Sequence, residues 1–473
     1  MAIPSRVKGV LGSLGPGLII ASVCLGPGSV TTASKIGAEY GYMLIWVVVL
    51  ASAAMMMYTA MGARFGAVQE RSFLQAVADR YGRWFAALIG LAAFLMSASF
   101  QFGNNLGVTT ATASVTDNWA SRALSGAIGR PVAEEQIWPF VFTGLALLMV
   151  LFASNLYRVI ERVMTVLVLV MIGAFFTNLV FARPDLSQAA EGLIPRIPGG
   201  GRGTTVIAAM VGTTFVMHAC LYQSYLVQSK GWRLADVRKG LVDSIVGIAI
   251  LATISVLIML TSAAALRPRG IEIADASEMA LQLQSAFGPA AKFIFCLGFW
   301  AAAFSSIPVN AIVGGGLLAD GLGLGHRMDQ KWPKAITVAI MLIGMVIATM
   351  PQENRANALI VAQAATMLAM PAVGLGMFLI LNDRRVMGRF VNSWRQNVLA
   401  GFGLVLVLVL SVATYGKLID QVGMARDRWR APDPSPAASA PVADPGGGGR
   451  RNPDGPAPGP IPARRTPPAA GSA

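Results

Sequence analysis

The sequence predicts an all-α integral membrane protein of about eleven transmembrane helices, arranged as a five-plus-five inverted repeat with helices one and six broken and a peripheral eleventh. Three observations predict it. The 473 residues are 55% hydrophobic and only 13% charged. Their apolar content falls into many separate stretches, too many for one anchored soluble domain. Two of those stretches carry breaks, at Gly26-Pro27-Gly28-Ser29 in the first and around His218 in the sixth. An unpaired backbone group at membrane depth costs several kcal/mol, so irregular backbone survives there only beside a cavity or buried protein. Broken helices at the midplane are a common way to build a substrate site.

In order, the spans cover roughly 11–34, 42–63, 85–112, 137–155, 162–182, 204–228, 240–266, 288–318, 334–350, 357–381 and 397–417. Each approaches the ~20 residues that cross ~30 Å of hydrocarbon. The first lacks a small-residue cleavage site and its Gly/Pro break is unlike a signal h-region, so it reads as a retained span. The breaks in spans one and six divide the membrane domain, residues 1–425, into pseudo-repeats of about 9–182 and 204–381. From 426 to 473 the chain turns to Pro, Ala and Gly, including Gly446 to Gly449. Such a composition cannot bury enough apolar surface to offset its ordering entropy, which predicts a disordered tail.

The net charge of +14 invites a nucleic-acid reading, but its distribution favours a topological one. Arg64, Arg71, Arg80 and Arg83 follow span two, Arg158 and Arg162 follow span four, and Lys230, Arg233, Arg238 and Lys239 follow span six. Arg327, Lys331 and Lys334 follow span eight, and Arg384, Arg385, Arg389 and Arg395 follow span ten. With Arg6 and Lys8, these loops place the N-terminus in the cytoplasm, and an odd number of spans places the C-terminal tail outside. The expected location is the cell (inner) membrane, multi-pass. The expected partners are membrane lipid and an inorganic cation or small solute, with no nucleic acid.

Cys24, Cys220 and Cys296 all lie inside apolar spans, where they serve as small packing residues rather than a disulfide framework. A soft-ligand role stays open for Cys24 and Cys220, which neighbour the breaks. There is no Walker loop, no His/Cys/Asp cluster of metal-enzyme spacing and no Gly-x-Ser-x-Gly elbow, so neither an enzyme nor a resident cofactor is expected. His218, one of two histidines, is the ionisable side chain expected near mid-bilayer, in an interruption read as Met217-His218-Ala219-Cys220. In span three, Gln101, Asn104 and Asn105 share a face by i, i+3, i+4 spacing, and either line a pathway or join helices. In span ten, Gln363 and Thr366 share a face ahead of Met370-Pro371.

Gly15-Pro16-Gly17, Pro27-Gly28 and Tyr40-Gly41-Tyr42 at the start, Leu226-Val227-Gln228-Ser229-Lys230 after span six, and Phe287-Gly288-Pro289 before span eight form an ordered series. With Gln363, Asp383-Arg384-Arg385 and Met387-Gly388 they resemble the Nramp family of proton-coupled divalent metal transporters. The resemblance covers residues 9–417 and implies the LeuT-like inverted-repeat fold shared with amino-acid and sodium-coupled transporters. It also implies a midplane site, at which this sequence departs from the family. The family's first break reads Asp-Pro-Gly-Asn, and Gly26 and Ser29 stand at its two ligand positions here. Its sixth break reads Met-Pro-His-Asn, so Val216 replaces the thioether while the histidine is kept as His218. A second family histidine is Gln223, and the acidic pair of span three has no counterpart in Ser97 to Phe100. Gln363 matches the family's glutamine.

The substrate site is therefore expected at Gly26, Ser29, Met217, His218 and Gln363, with Ser29, His218 and Gln363 as metal ligands and Gln101, Asn104, Asn105 and Gln223 along the pathway. A carboxylate ~4 Å from a dication at an effective dielectric of ~20 contributes on the order of 8 kcal/mol before desolvation. Without it, a tightly held, dehydrated Mn²⁺ or Fe²⁺ is disfavoured, and a hydrated divalent cation such as Mg²⁺ suits the remaining oxygen donors. With no carboxylate nearby, weak or absent proton coupling is expected. Two other readings stand beside cation transport: carriage of a small organic solute, and a non-transporting receptor or scaffold that uses the tail.

Overall fold

In this computed structural model of the protein, residues 26–430 are described, apart from 153, 200, 328 and 351–353. The chain divides into a unit of residues 1–419 and a second of 420–473. The tail beyond Arg430, Cys24 and the stretch before Gly26 lie outside the described residues.

Ten described helical stretches are long and apolar enough to cross a membrane, and they coincide with predicted spans two to eleven. The described part of span one is α1 (Pro27–Tyr40), followed by α2 (Ile45–Val68), a short connecting α3 (Phe73–Tyr81) and α4 (Arg83–Thr116). Spans four and five are α5 (Trp138–Phe152) and α6 (Ser154–Ala182). Span six is the pair α7 (Gly201–Thr214) and α8 (Met217–Ser229), and span seven is α9 (Leu234–Ala265). Then come α10 (Ala290–Gly321) and α11 (Lys331–Ala348), the pair α12 (Arg355–Ala365) and α13 (Met370–Asn382) that forms span ten, and α14 (Trp394–Arg430). The described residues contain no strand.

The break in span six falls two residues earlier than the sequence suggested. α7 ends at Thr214, Phe215 and Val216 leave the helix, and α8 resumes at Met217, so His218 sits in the first turn of a helix rather than in the interruption. The local cause is backbone bonding. Val216 holds φ −78° and ψ 83°, while its carbonyl accepts from the amides of Ala219 (3.0 Å) and Cys220 (3.2 Å), which pulls both into the helix. In span one, Gly26 is the extended residue before α1, and Pro27 takes the first helical position, where a missing N–H leaves no bond unmade.

Small residues set how closely the helices approach, as expected where lipid removes the hydrophobic drive between them. Gly62 and Gly66, four apart on α2, lie flat against α8. A Cβ at Gly62 would stand 2.3 Å from the Cys220 carbonyl oxygen, and one at Gly66 would stand 2.3 Å from that of Ser224. α4 meets α10 in the same way: a Cβ at Gly314 would fall 2.4 Å from the Ser97 side chain, and one at Gly321 would fall 2.6 Å from the Ala86 carbonyl oxygen. α4 is thus pinned in register against α10, and that register determines which of its residues face the broken helices.

Candidate functional site

One stripe of α4 meets every broken helix. At about 100° per residue, positions 100, 103, 104 and 107 share a face. The Phe100 ring stands 5.5 Å from the His218 ring of α8, nearly edge-on at 64°. A Cβ on Gly103 would lie 3.3 Å from Gln363 Nε2 of α12. The Asn104 Oδ1 lies 3.4 Å from where a Cβ on Gly26 would be, and Gly107 leaves room for the Pro27 ring of α1. From Phe100 to Asn104 the rise is only about 6 Å, so His218, Gln363 and Asn104 meet this stripe within about one helical turn.

His218 is completely buried, and its ring is oriented from behind. Asn310 of α10 donates through Nδ2 to the Ser97 carbonyl at 2.7 Å, which leaves its Oδ1 as an acceptor. That oxygen lies 3.3 Å from His218 Nε2, so in the neutral ring Nε2 carries the proton and donates. Nδ1 is left with a lone pair and no protein partner. A histidine whose far N–H is held by an amide or carboxylate oxygen is arranged as metal-ligating histidines are. Asn310 went unnoticed in the sequence because one Asn in an apolar span does not reveal which helix it faces.

Gln363 is held between two glycines. A Cβ on Gly28 would fall 2.3 Å from its Nε2, so only glycine leaves space for this side chain. Thr366 Oγ1 donates to the Gln363 carbonyl at 2.6 Å, and the Gln363 Oε1 has no partner. Buried side-chain atoms without protein partners occur at several places among the described residues, Gln101 Nε2 and Oε1 and Gln223 Oε1 included; those that meet at the stripe are His218 Nδ1, Gln363 Oε1 and Asn104 Nδ2.

The remaining expected residues lie elsewhere. The Ser29 hydroxyl pairs with Thr213 Oγ1 at 2.7 Å, beside a cavity of about 10 Å³ lined by Ser52, Thr214 and Ser255, the room of one water molecule. The Met217 thioether packs on α13, where a Cβ at Gly374 would lie 3.0 Å from its sulfur. Gln101 and Asn105 turn off the stripe. The Gln101 stem packs over Gly344 of α11, and Asn105 Oδ1 accepts from Thr143 of α5 at 2.7 Å. Gln223 donates to Ser244 Oγ of α9 at 3.2 Å. Asn105 and Gln223 therefore join helices, and of the span-three trio only Asn104 faces the broken helix one. The Cys220 thiol accepts from Thr59 Oγ1 at 3.4 Å and is spent on packing against α2. Among the described residues, no three His, Cys, Asp or Glu side chains gather as a metal cluster.

Comparison with known proteins sets this geometry in context. A profile of the family described as natural resistance-associated macrophage protein-like (Nramp) matches residues 17–416. The divalent metal cation transporter MntH of Yersinia pestis (strain Pestoides F) is 26% identical over 421 residues, 86% of this chain and 94% of that protein. The crystal structure of the Eremococcus coleocola manganese transporter superposes with a TM-score of 0.69 at 17% identity, covering 92% of this chain and 91% of its own. Mhp1, a nucleobase-cation-symport-1 family transporter, superposes at 0.52 and 13% identity, over 86% and 93% of the two chains.

Proposed function

The chain belongs to the Nramp family, and on that premise we propose that it is a secondary transporter, not an enzyme, that carries a divalent metal cation across the membrane. The cation is held at the α4 stripe, with His218 and Gln363 among its ligands. The observation that carries this reading is the bare Nδ1 of fully buried His218, whose Nε2 faces Asn310. A lone pair left unpaired in a buried site is costly unless a ligand takes it. Gln363 Oε1 adds a hard oxygen donor of the kind divalent cations take.

All these donors are neutral. An ion held by imidazole and amides keeps part of its water shell, which favours Mg²⁺ or weakly held Mn²⁺ over a dehydrated, tightly bound ion. No carboxylate stands among the donors to take up a proton, so coupling to a proton gradient is weak or absent. The basic loops orient the N-terminus to the cytoplasm and the C-terminus outward. The test is uptake into vesicles reconstituted with the full chain, across Mg²⁺, Mn²⁺, Zn²⁺ and Cu⁺. Uptake of at least one divalent ion without matching proton influx is expected, whereas no flux across the panel would sink the proposal.

A second reading is favoured by one observation. α1 and α8 both begin near the stripe, at Pro27 and Met217, without a side-chain cap on their free amides. Such helix ends attract an anionic group. Saturable, metal-independent uptake of a small organic acid would establish that reading instead.

A further inference from the structure

We propose that Asn104, from the unbroken helix α4, supplies the side-chain ligand that the first broken helix lacks at Gly26; the assignment rests on the cation reading above. Three observations converge on it. The Asn104 Oδ1 lies 3.4 Å from the position of a Cβ on Gly26, so this amide reaches the space into which a side chain at residue 26 would extend. Asn104 is 1% exposed and its Nδ2 finds no protein partner, unlike Asn105 one residue on, whose Nδ2 donates to the Gln101 carbonyl (3.0 Å) and whose Oδ1 accepts from Thr143. The other polar side chain of the first break, Ser29, is turned to Thr213 and leaves the stripe to Asn104.

The chemistry of the exchange is specific. A carboxylate on helix one would bring a full negative charge to the ion. An amide oxygen on α4 brings only a dipole, and it does so from a different helix. The ion then bridges α4, α8 and α12 through Asn104, His218 and Gln363, while α1 contributes space and backbone. A neutral oxygen in this place selects against tight, dehydrated binding and for an ion that keeps waters. Such waters also give the Asn104 Nδ2 an acceptor, which it lacks within the protein.

The test uses the full chain in proteoliposomes with Mg²⁺ and Mn²⁺ as probes, comparing wild type with N104L, N104D and T112V. Thermal unfolding of each purified variant is followed alongside. N104L removes the oxygen at nearly constant volume and is expected to raise KM for the transported ion by about tenfold or more. N104D restores a carboxylate at the same point and is expected to lower KM for Mn²⁺ by about tenfold or more, whatever the folding yield of N104L. T112V, on the same helix about two turns beyond Asn104, where the hydroxyl only returns to the Val108 carbonyl at 2.7 Å, leaves both KM values at wild-type level. Wild-type flux with an unchanged KM in N104L, or an unchanged Mn²⁺ KM in N104D, overturns the assignment alone. Wild-type vesicles that move neither ion overturn the cation reading and the assignment with it.

Discussion

Two buried polar clusters in this protein are built on opposite principles. At the α4 stripe, His218, Gln363 and Asn104 leave polar atoms without protein partners. At the end of α10, the Asp320 carboxylate is 4% exposed, yet both its oxygens are engaged. Ser72 Oγ donates to Oδ1 at 3.0 Å and Tyr225 OH donates to Oδ2 at 2.6 Å. Each hydroxyl in turn accepts an amide from the first turn of α3, Gln75 N–H at 3.3 Å for Ser72 and Leu74 N–H at 3.3 Å for Tyr225. The positive end of α3 is thereby relayed through two hydroxyls onto the carboxylate. The same cluster ties α8, α10 and the start of α3 together. The difference separates a cluster whose donors and acceptors are spent on one another, and which so holds helices in place, from one whose open atoms come from three helices to one stripe.

The largest expected effect comes from breaking the satisfied cluster. Asp320→Leu removes two charge-assisted bonds and leaves the Ser72 and Tyr225 hydroxyls without their acceptor. A stability loss of roughly 3–5 kcal/mol is expected, read as reversible unfolding in mixed micelles. A loss below ~1 kcal/mol would erase the contrast. His218→Leu should show the inverse pattern. It gives up one neutral hydrogen bond and leaves the buried Asn310 Oδ1 without its donor, so stability should fall by about 1–3 kcal/mol, less than for Asp320→Leu. Ion uptake should fall by roughly 10- to 100-fold. A His218 variant that unfolds but transports normally when folded would make the stripe a packing feature.

The contrast also explains which parts of the architecture could be read before the fold was in hand. Ten of the spans follow from hydropathy alone, because lipid demands about 20 apolar residues in a row wherever a helix crosses. Gly26, His218 and Gln363 could be singled out as a helix breaker, a buried ionisable group and a polar residue before a proline. Facing was harder. Gln101, Asn104 and Asn105 have suitable helical spacing, but only the register set by Gly314 and Gly321 against Ser97 and Ala86 turns Asn104 inward and its neighbours away. The same limit hid Asn310, whose role depends on the Ser97 carbonyl of another helix. It also made Ser29 and Met217 look like donors when they are engaged with α7 and α13.

The smallest effect is expected where pairing is complete but water is near. Arg80 of α3 pairs with Asp383, the residue that ends α13, joining the loops after spans two and ten. The aspartate side chain is 9% exposed and the arginine 38%. The hydrogen bond from Arg80, aided by the Arg385 amide, holds the Asp383 carboxyl below the ordinary carboxylate range. A carboxyl depressed in the folded protein adds stability above its unfolded pKa of about 4 and loses it as pH falls through the folded value. Asp383→Asn should therefore be slightly less stable than wild type at pH 7, and equally so at pH 6, with the difference closing only in acid below about pH 4. Salt should shrink it, as for other partly exposed pairs. A difference that instead closed between pH 7 and pH 6 would show that the Asp383 carboxyl is not the group whose titration it reads, and the Arg80–Asp383 pair would then contribute nothing of its own.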